Sequence, residues 1–368
     1  MNAVAHERDG TEVALHYGDP EGELRALRTG VVLADLGHMG LTLLGGSHAW
    51  EVADRVLPRD LYLRDGQARQ TLLLDEDGII CADVLVASDD DDLLLVTDGL
   101  PPEEVRARLT AAIRTGEAAH LEPLDADHAL LEITGPYAWE LMASFHEPGI
   151  LGQPYLTLSH LDDGVRCLRA GRTGEYAYDL LVPRDRLEGV VERLLDLGRD
   201  LAIRRVGSDA LDYAALENWF FNPHLEGRLR LTPLHLQLQW RVSRAKQFCG
   251  VAALAAWRAR GLDRRVTAVR GPRGLAAGQQ VMFGDTTVGE LIVAAADRNG
   301  LGSIGLALLD LRLAESGLDV LVARGPDAVY ALRTVSPPFV VNHSLLIQPQ
   351  RDSFATRGQI DAPPGSWT

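Results

Sequence analysis

Lysine is almost absent from this chain: Lys246 is the only one in 368 residues, and the other basic side chains are arginines. Positive charge is short as well, with 36 Lys and Arg against 52 Asp and Glu and a formal net charge of −16. A surface of that sign repels phosphate backbones, so nucleic acid is not an expected partner. Cysteine is scarce too. Cys81, Cys167 and Cys249 stand far apart and form no CxxC pair, which excludes a disulfide framework and a zinc or iron–sulfur signature and leaves buried free thiols. Apolar runs such as 93–96 and 306–309 are too short to span a bilayer, and residues 1–9 lack a signal peptide's apolar core. A cytoplasmic chain with no membrane contact is expected. Internal repeats are missing, and the only low-complexity stretch is the acidic run 89–92.

What is present is enough apolar material, 46% of residues, to bury cores in two or three domains. The pattern is α+β. Residues 41–44 read as a strand, 47–56 as a helix capped by Ser47, and 71–74 and 81–87 as strands around the turn Asp75-Glu-Asp-Gly78. The run 89–92 reads as a solvated turn into a strand at 93–97, and the prolines at 101 and 102 suit the first turn of a helix over 101–115. A second set follows: strands at 129–133, 165–169 and 176–182, with helices after Gly135-Pro136, over 184–197 and over 208–219. Beyond residue 262, short alternating strands broken by glycines suit a small β-barrel or β-sandwich. The expected division is 1–262, 263–355 as the barrel, and 356–368 as a flexible tail.

Two segments carry the strongest signal: Leu33-Ala-Asp-Leu-Gly-His-Met-Gly40, and Asp75-Glu-Asp-Gly-Ile-Ile-Cys-Ala-Asp-Val-Leu-Val86. With Asp65-Gly66-Gln67-Ala68, Gly171-Arg-Thr-Gly-Glu175, Thr232-Pro233, Trp240, Phe248-Cys249-Gly250 and Val288-Gly289-Glu290, they fall in an order that resembles the glycine-cleavage T-protein, or aminomethyltransferase, family. The resemblance implies two interleaved antiparallel-sheet-plus-helix subdomains around a folate-type cleft, followed by a C-terminal β-barrel. It also implies one-carbon transfer with tetrahydrofolate as acceptor.

By that resemblance Asp83 is the catalytic carboxylate, with Ala82 replacing the aspartate that precedes it in the family. One-carbon transfer at a folate nitrogen creates or removes positive charge, which a fixed carboxylate in a water-poor cleft stabilises while steering a proton. The same motifs imply a folate-binding set of His38, Met39, Gln70, Thr97, Arg172, Asp179 and Trp240. On the residues alone, His38 reads equally as a structural histidine, Met39 as core filler and Trp240 as either wall or core.

Several positions depart from the family. Gln70 stands for a tyrosine, Thr97 for an asparagine, Arg172 for a tyrosine, Asp179 for a glutamate and Leu211 for a ligand-binding arginine. A repurposed cleft acting on another small molecule without folate is therefore the alternative. A non-catalytic folate-binding iron–sulfur assembly factor is a third reading, disfavoured because Arg244-Ala-Lys-Gln-Phe-Cys-Gly250 gives the cysteine the wrong neighbours. No metal is expected: His224 and His235 lack a ligand-spaced partner, and the run 89–92 lacks the spaced oxygens of a calcium loop. The expected partners are a small-molecule one-carbon donor and either a carrier protein or a second copy of the chain.

Overall fold

The computed structural model describes residues 3–298, 300 and 302–359. It contains two sheets that share the first half of the chain in alternation. The first sheet orders Ala68–Leu74, Ile80–Asp89, Asp92–Asp98, Gly40–Gly45 and His120–Pro123, all antiparallel. The second orders Leu158–His160, Arg166–Leu168, Ala177–Pro183, His128–Thr134, Val32–Asp35 and Arg204–Val206, with only the last pair parallel. The interleaving is visible at residues 36–39, where the chain leaves Val32–Asp35 of the second sheet and enters Gly40–Gly45 of the first.

Side-chain alternation explains how the two sheets meet. Strand neighbours point to opposite faces, so each strand serves two cores. In Ile80–Asp89, Ala82, Val84 and Val86 face the helices Ala49–Val56 and Pro102–Ala111, while Leu85 and Ala87 face the second sheet. Leu130, Leu168 and Leu181 answer from that second sheet, whose other face is covered by Ala138–Phe145 and Leu187–Leu197. At one end of this sandwich the apolar filling gives way to charged side chains.

The last strands, from Arg264–Pro272 to Val329–Val335, close a six-stranded barrel. Its interior holds Val269, Leu291, Ala307, Leu309 and Leu332, while Val266, Ala268, Ile304 and Leu306 face outward onto the helices Pro20–Thr29 and Ser208–Asn218. After the barrel the chain returns to the second sheet, where Ile347 and Phe354 are buried. Of the tail expected at 356–368, residues 360–368 lie outside the described residues, and the part before them belongs to a 3-10 turn, Phe354–Gln359.

Local expectations needed correction at two places. Ser47 does not cap the helix, which starts at Ala49 with His48 before it; the Ser47 hydroxyl bonds His48 instead. The acidic run is not a solvated turn throughout. Asp89 is buried, and its carboxylate accepts bonds from His160 Nε2 at 2.6 Å and Arg166 Nε at 2.8 Å, which tie the two sheets together. Unread in the sequence were the N-terminal hairpin, Val4–Arg8 with Thr11–His16, and the helix Pro20–Thr29, which Asp19 caps through the Gly22 amide.

Candidate active site

Asp83 sits where alternation sends it, on the face of Ile80–Asp89 that looks toward the second sheet, directly opposite Asp98 of the next strand. Its Oδ1 accepts from Arg241 at 2.5 Å and from the Val84 amide at 3.1 Å; no hydrogen bond reaches Oδ2 among the described residues. Arg241 is 3% exposed, arrives on the 3-10 turn Gln239–Arg241, and also donates to Gln70 Oε1 at 3.2 Å. Two donors on one oxygen fix the carboxylate's rotamer and leave the other oxygen for chemistry.

A narrow cavity of about 20 Å³ lies against Asp83, lined also by Met39, Gln70, Thr97, Asp98 and Arg172. Met39 and Thr97 are brought together by Gly40, where a Cβ would come within 2.6 Å of Thr97 Oγ1. An adjoining cavity of about 40 Å³ shares Met39, Asp98 and Arg172 and adds His38, Glu132, Ser208 and Leu211. Trp240 stands apart from both. It is 53% exposed, lies between the guanidinium groups of Arg59 and Arg241, and lines a third cavity with Gln70 and Arg241. Of the folate-binding set expected from the sequence, Met39, Gln70, Thr97 and Arg172 therefore share one cavity with Asp83. His38 is in the next, and Trp240 adjoins the site through Gln70 and Arg241.

Asp179 is fully buried and paired across the strands with Glu132. One cation serves both: Arg172 donates to Glu132 Oε2 at 3.3 Å and stands 3.9 Å from Asp179 Oδ2, with a further contact to Met39 Sδ at 3.2 Å. Burial raises both carboxyl groups above their ordinary range; the Asp179 charge adds to the rise at Glu132, and Arg172 opposes it at each. Glu132 Oε1 and both Asp179 oxygens have no hydrogen-bond partner. These are acceptors waiting for donors.

A third charged group lies beside the first two. His224 Nε2 bonds Asp98 Oδ1 at 2.7 Å, and His38 Nε2 stands 3.7 Å from the same oxygen. Burial pushes the Asp98 carboxyl up, but the His224 hydrogen bond and the charges of His224, His38 and Arg172 outweigh it and bring it down to about 2. Burial lowers His38 to about 4 against the pull of Asp98. Gly99 makes this approach feasible, since its φ is +100° and a Cβ there would lie 2.5 Å from Pro223.

The chain is similar to known proteins over most of its length. A family model described as the GCVT N-terminal domain matches residues 1–246. This chain belongs to the aminomethyltransferase family. An aminomethyltransferase of Mycobacterium tuberculosis (strain ATCC 25618 / H37Rv) is 30% identical over 347 residues, covering 92% of this chain and 94% of that protein. One from Mycobacterium leprae (strain TN) is 29% identical over the same coverage. The glycine cleavage system aminomethyltransferase T from Bartonella henselae superposes with a TM-score of 0.80 over 92% of this chain and 95% of that one, at 22% identity. The fold is thus that of the family, and the activity at family level is folate-dependent one-carbon transfer by a transferase. No helix of the described residues is long and apolar enough to cross a membrane.

Against the aminomethyltransferase pattern, sequence reasoning missed Arg241, Glu132 and Asp98, and set His224 aside because its partners lie far away in the chain. Arg241 adjoins Trp240, which was singled out, but nothing in a lone arginine marks it as the partner of a carboxylate 158 residues away. Glu132 could have been noticed as an acid inside the apolar run His128–Thr134, where every residue after the first is buried.

Proposed function

We propose that this aminomethyltransferase-family chain transfers a methyl or aminomethyl unit between a donor and tetrahydrofolate, with Asp83 as the carboxylate beside the reacting nitrogen. The observation that carries the reading is the Asp83 carboxylate on the cavity wall, with Oδ1 held by Arg241 and the Val84 amide and Oδ2 without a partner. Such a group stabilises positive charge as it develops and needs no reorganisation to do so. It also accepts a proton at Oδ2 without losing its two anchoring bonds.

Tetrahydrofolate, when bound, supplies the nucleophilic nitrogen that accepts the one-carbon unit. The chain's residues suit it. An aminopyrimidine edge carries N–H donors, and Glu132 Oε1 and the two Asp179 oxygens are buried acceptors with none. Met39 offers an adaptable apolar contact to a flat ring, and His38, Gln70, Thr97, Arg172 and Trp240 complete the proposed binding set. The catalytic unit on this reading is residues 1–262. The donor is a small amine, sulfonium or ether, or the same unit presented by a carrier protein.

Arg172 favours the second reading, a folate-independent activity in the same cleft. It occupies the space between the two carboxylates and could pair with an anionic substrate. Calorimetric titration with tetrahydrofolate and 5-methyltetrahydrofolate separates the two. Micromolar binding that is abolished by Asp179→Ala supports folate transfer; no heat with either compound turns the assignment to the folate-independent activity.

A further inference from the structure

We infer that His38, Asp98 and His224 form a binding site for one divalent transition-metal ion at the edge of the cleft. The three residues come from separate parts of the chain, the turn before Gly40–Gly45, the end of Asp92–Asp98 and the loop after Ser208–Asn218, and all three are buried. Their nearest ring-nitrogen and carboxylate atoms lie within 4.8 Å of one another. His224 Nε2 is 2.7 Å and His38 Nε2 3.7 Å from Asp98 Oδ1. Four-coordinate metals with bonds near 2.0–2.1 Å hold adjacent ligand atoms about 3.4 Å apart, so changes in separation of no more than about 1.4 Å would bring these atoms around a common centre.

The second observation is what His38 lacks. Its side chain is only 3% exposed, yet among the described residues neither Nδ1 nor Nε2 has a hydrogen-bond partner. A buried imidazole left wholly unsatisfied is costly, and a metal on Nε2 would remove half of that cost. Asp9 supplies a further unsatisfied oxygen. It lies at the tip of the N-terminal hairpin, its Oδ2 is buried without a hydrogen bond, and it stands 3.9 Å from His224 Nε2.

Two imidazoles and a carboxylate favour zinc, iron(II), cobalt or nickel over magnesium or calcium, which prefer all-oxygen ligands. Arg8 and Arg172, whose charges reach His38, are themselves paired with Asp212 and Glu132. His38 and Asp98 both line the second, 40 Å³ cavity, so an open coordination position would face it. The other His and Asp cluster, Asp89, Asp90 and His160, differs: His160 and Arg166 both bond Asp89, so its buried carboxylate is already neutralised by an ion-pair network.

The test is a titration of chelator-stripped full-length protein with cobalt(II), followed by visible ligand-field absorption and by metal analysis after gel filtration. One cobalt per chain, displaced by zinc, is expected for the wild type and for His160→Gln. His38→Gln and His224→Gln should weaken binding on the order of 100-fold or more, since even outer-shell changes at metal sites cost 10- to 100-fold. Asp98→Asn keeps the side-chain shape and is expected to behave like them, which guards against an unfolded variant. A second readout is melting temperature, which cobalt should raise in the wild type and not in those three variants. Failure of the wild type to retain cobalt, or full retention by His38→Gln and His224→Gln, overturns the proposal. None of these readouts involves folate, so the metal site and the Asp83 reading fail separately.

Discussion

The two walls of the cleft solve the problem of buried charge in opposite ways. On the first-sheet wall each acid has its own partner, Asp83 with Arg241 and Asp98 with His224. On the second-sheet wall Glu132 and Asp179 face each other across the strands and share Arg172, with three carboxylate oxygens unbonded. A wall that is satisfied by its own chain is preorganised before anything binds. A wall whose carboxyl oxygens lack donors gains most from a ligand that brings them.

Removing the negative charge from the satisfied wall is expected to have the largest effect. Asp83→Asn should lower turnover by about 10²–10³ or more while changing ligand affinity less than about tenfold, because the charge acts in the transition state. Steady-state rates beside calorimetry check this, and unchanged turnover would remove Asp83 from the mechanism. Arg241→Met tests the same pair from its other side. It strands a largely buried carboxylate and should cost about 3 kcal/mol in chemical denaturation, with part recovered in the double variant Arg241→Met/Asp83→Asn.

The unsatisfied wall predicts a pH dependence of the opposite kind. Glu132 and Asp179 titrate above their unfolded values, so between the ordinary carboxylate range and their raised values the folded state holds protons that the unfolded state has released. Stability is then lost as pH rises through that window, where paired carboxylates such as Asp98 would contribute a gain only at far lower pH. Glu132→Gln should flatten this decline, measured as the midpoint of urea unfolding from pH 5 to 8. If the slope is unchanged, the carboxyl pair is not the titrating group. The smallest effect belongs to Trp240→Ala. Half-exposed and held by cation–π contacts, Trp240 should contribute less than about 1 kcal/mol to stability, so a large loss of ligand affinity in that variant would place it on the bound molecule.

Most of the fold was legible before any coordinates, because it rests on local signals. The apolar runs at 81–87 and 129–133, the prolines at 101 and 102 and the glycine-broken strands after 262 each report on their own neighbourhood. The collinear motifs then ordered them into one family. Failures occurred where a residue's partner is distant. Asp89 reads as a surface aspartate beside Asp90 and Asp91, and only the approach of His160 and Arg166 buries its charge.

The sequence by itself determined which chemical groups the cleft has to work with: an aspartate at 83 in a hairpin motif, a His-Met-Gly turn at 38–40, and altered side chains at 70, 97, 172, 179 and 211. Only the tertiary structure decided how those groups are paired. It set Arg241 on Asp83, stretched one arginine over Glu132 and Asp179, and drew His38, Asp98 and His224 together. The physical reason is range. Alternation and turn chemistry act over a few residues, whereas an ion pair depends on distance in space and on the water that burial excludes, and neither is written in the spacing of a chain.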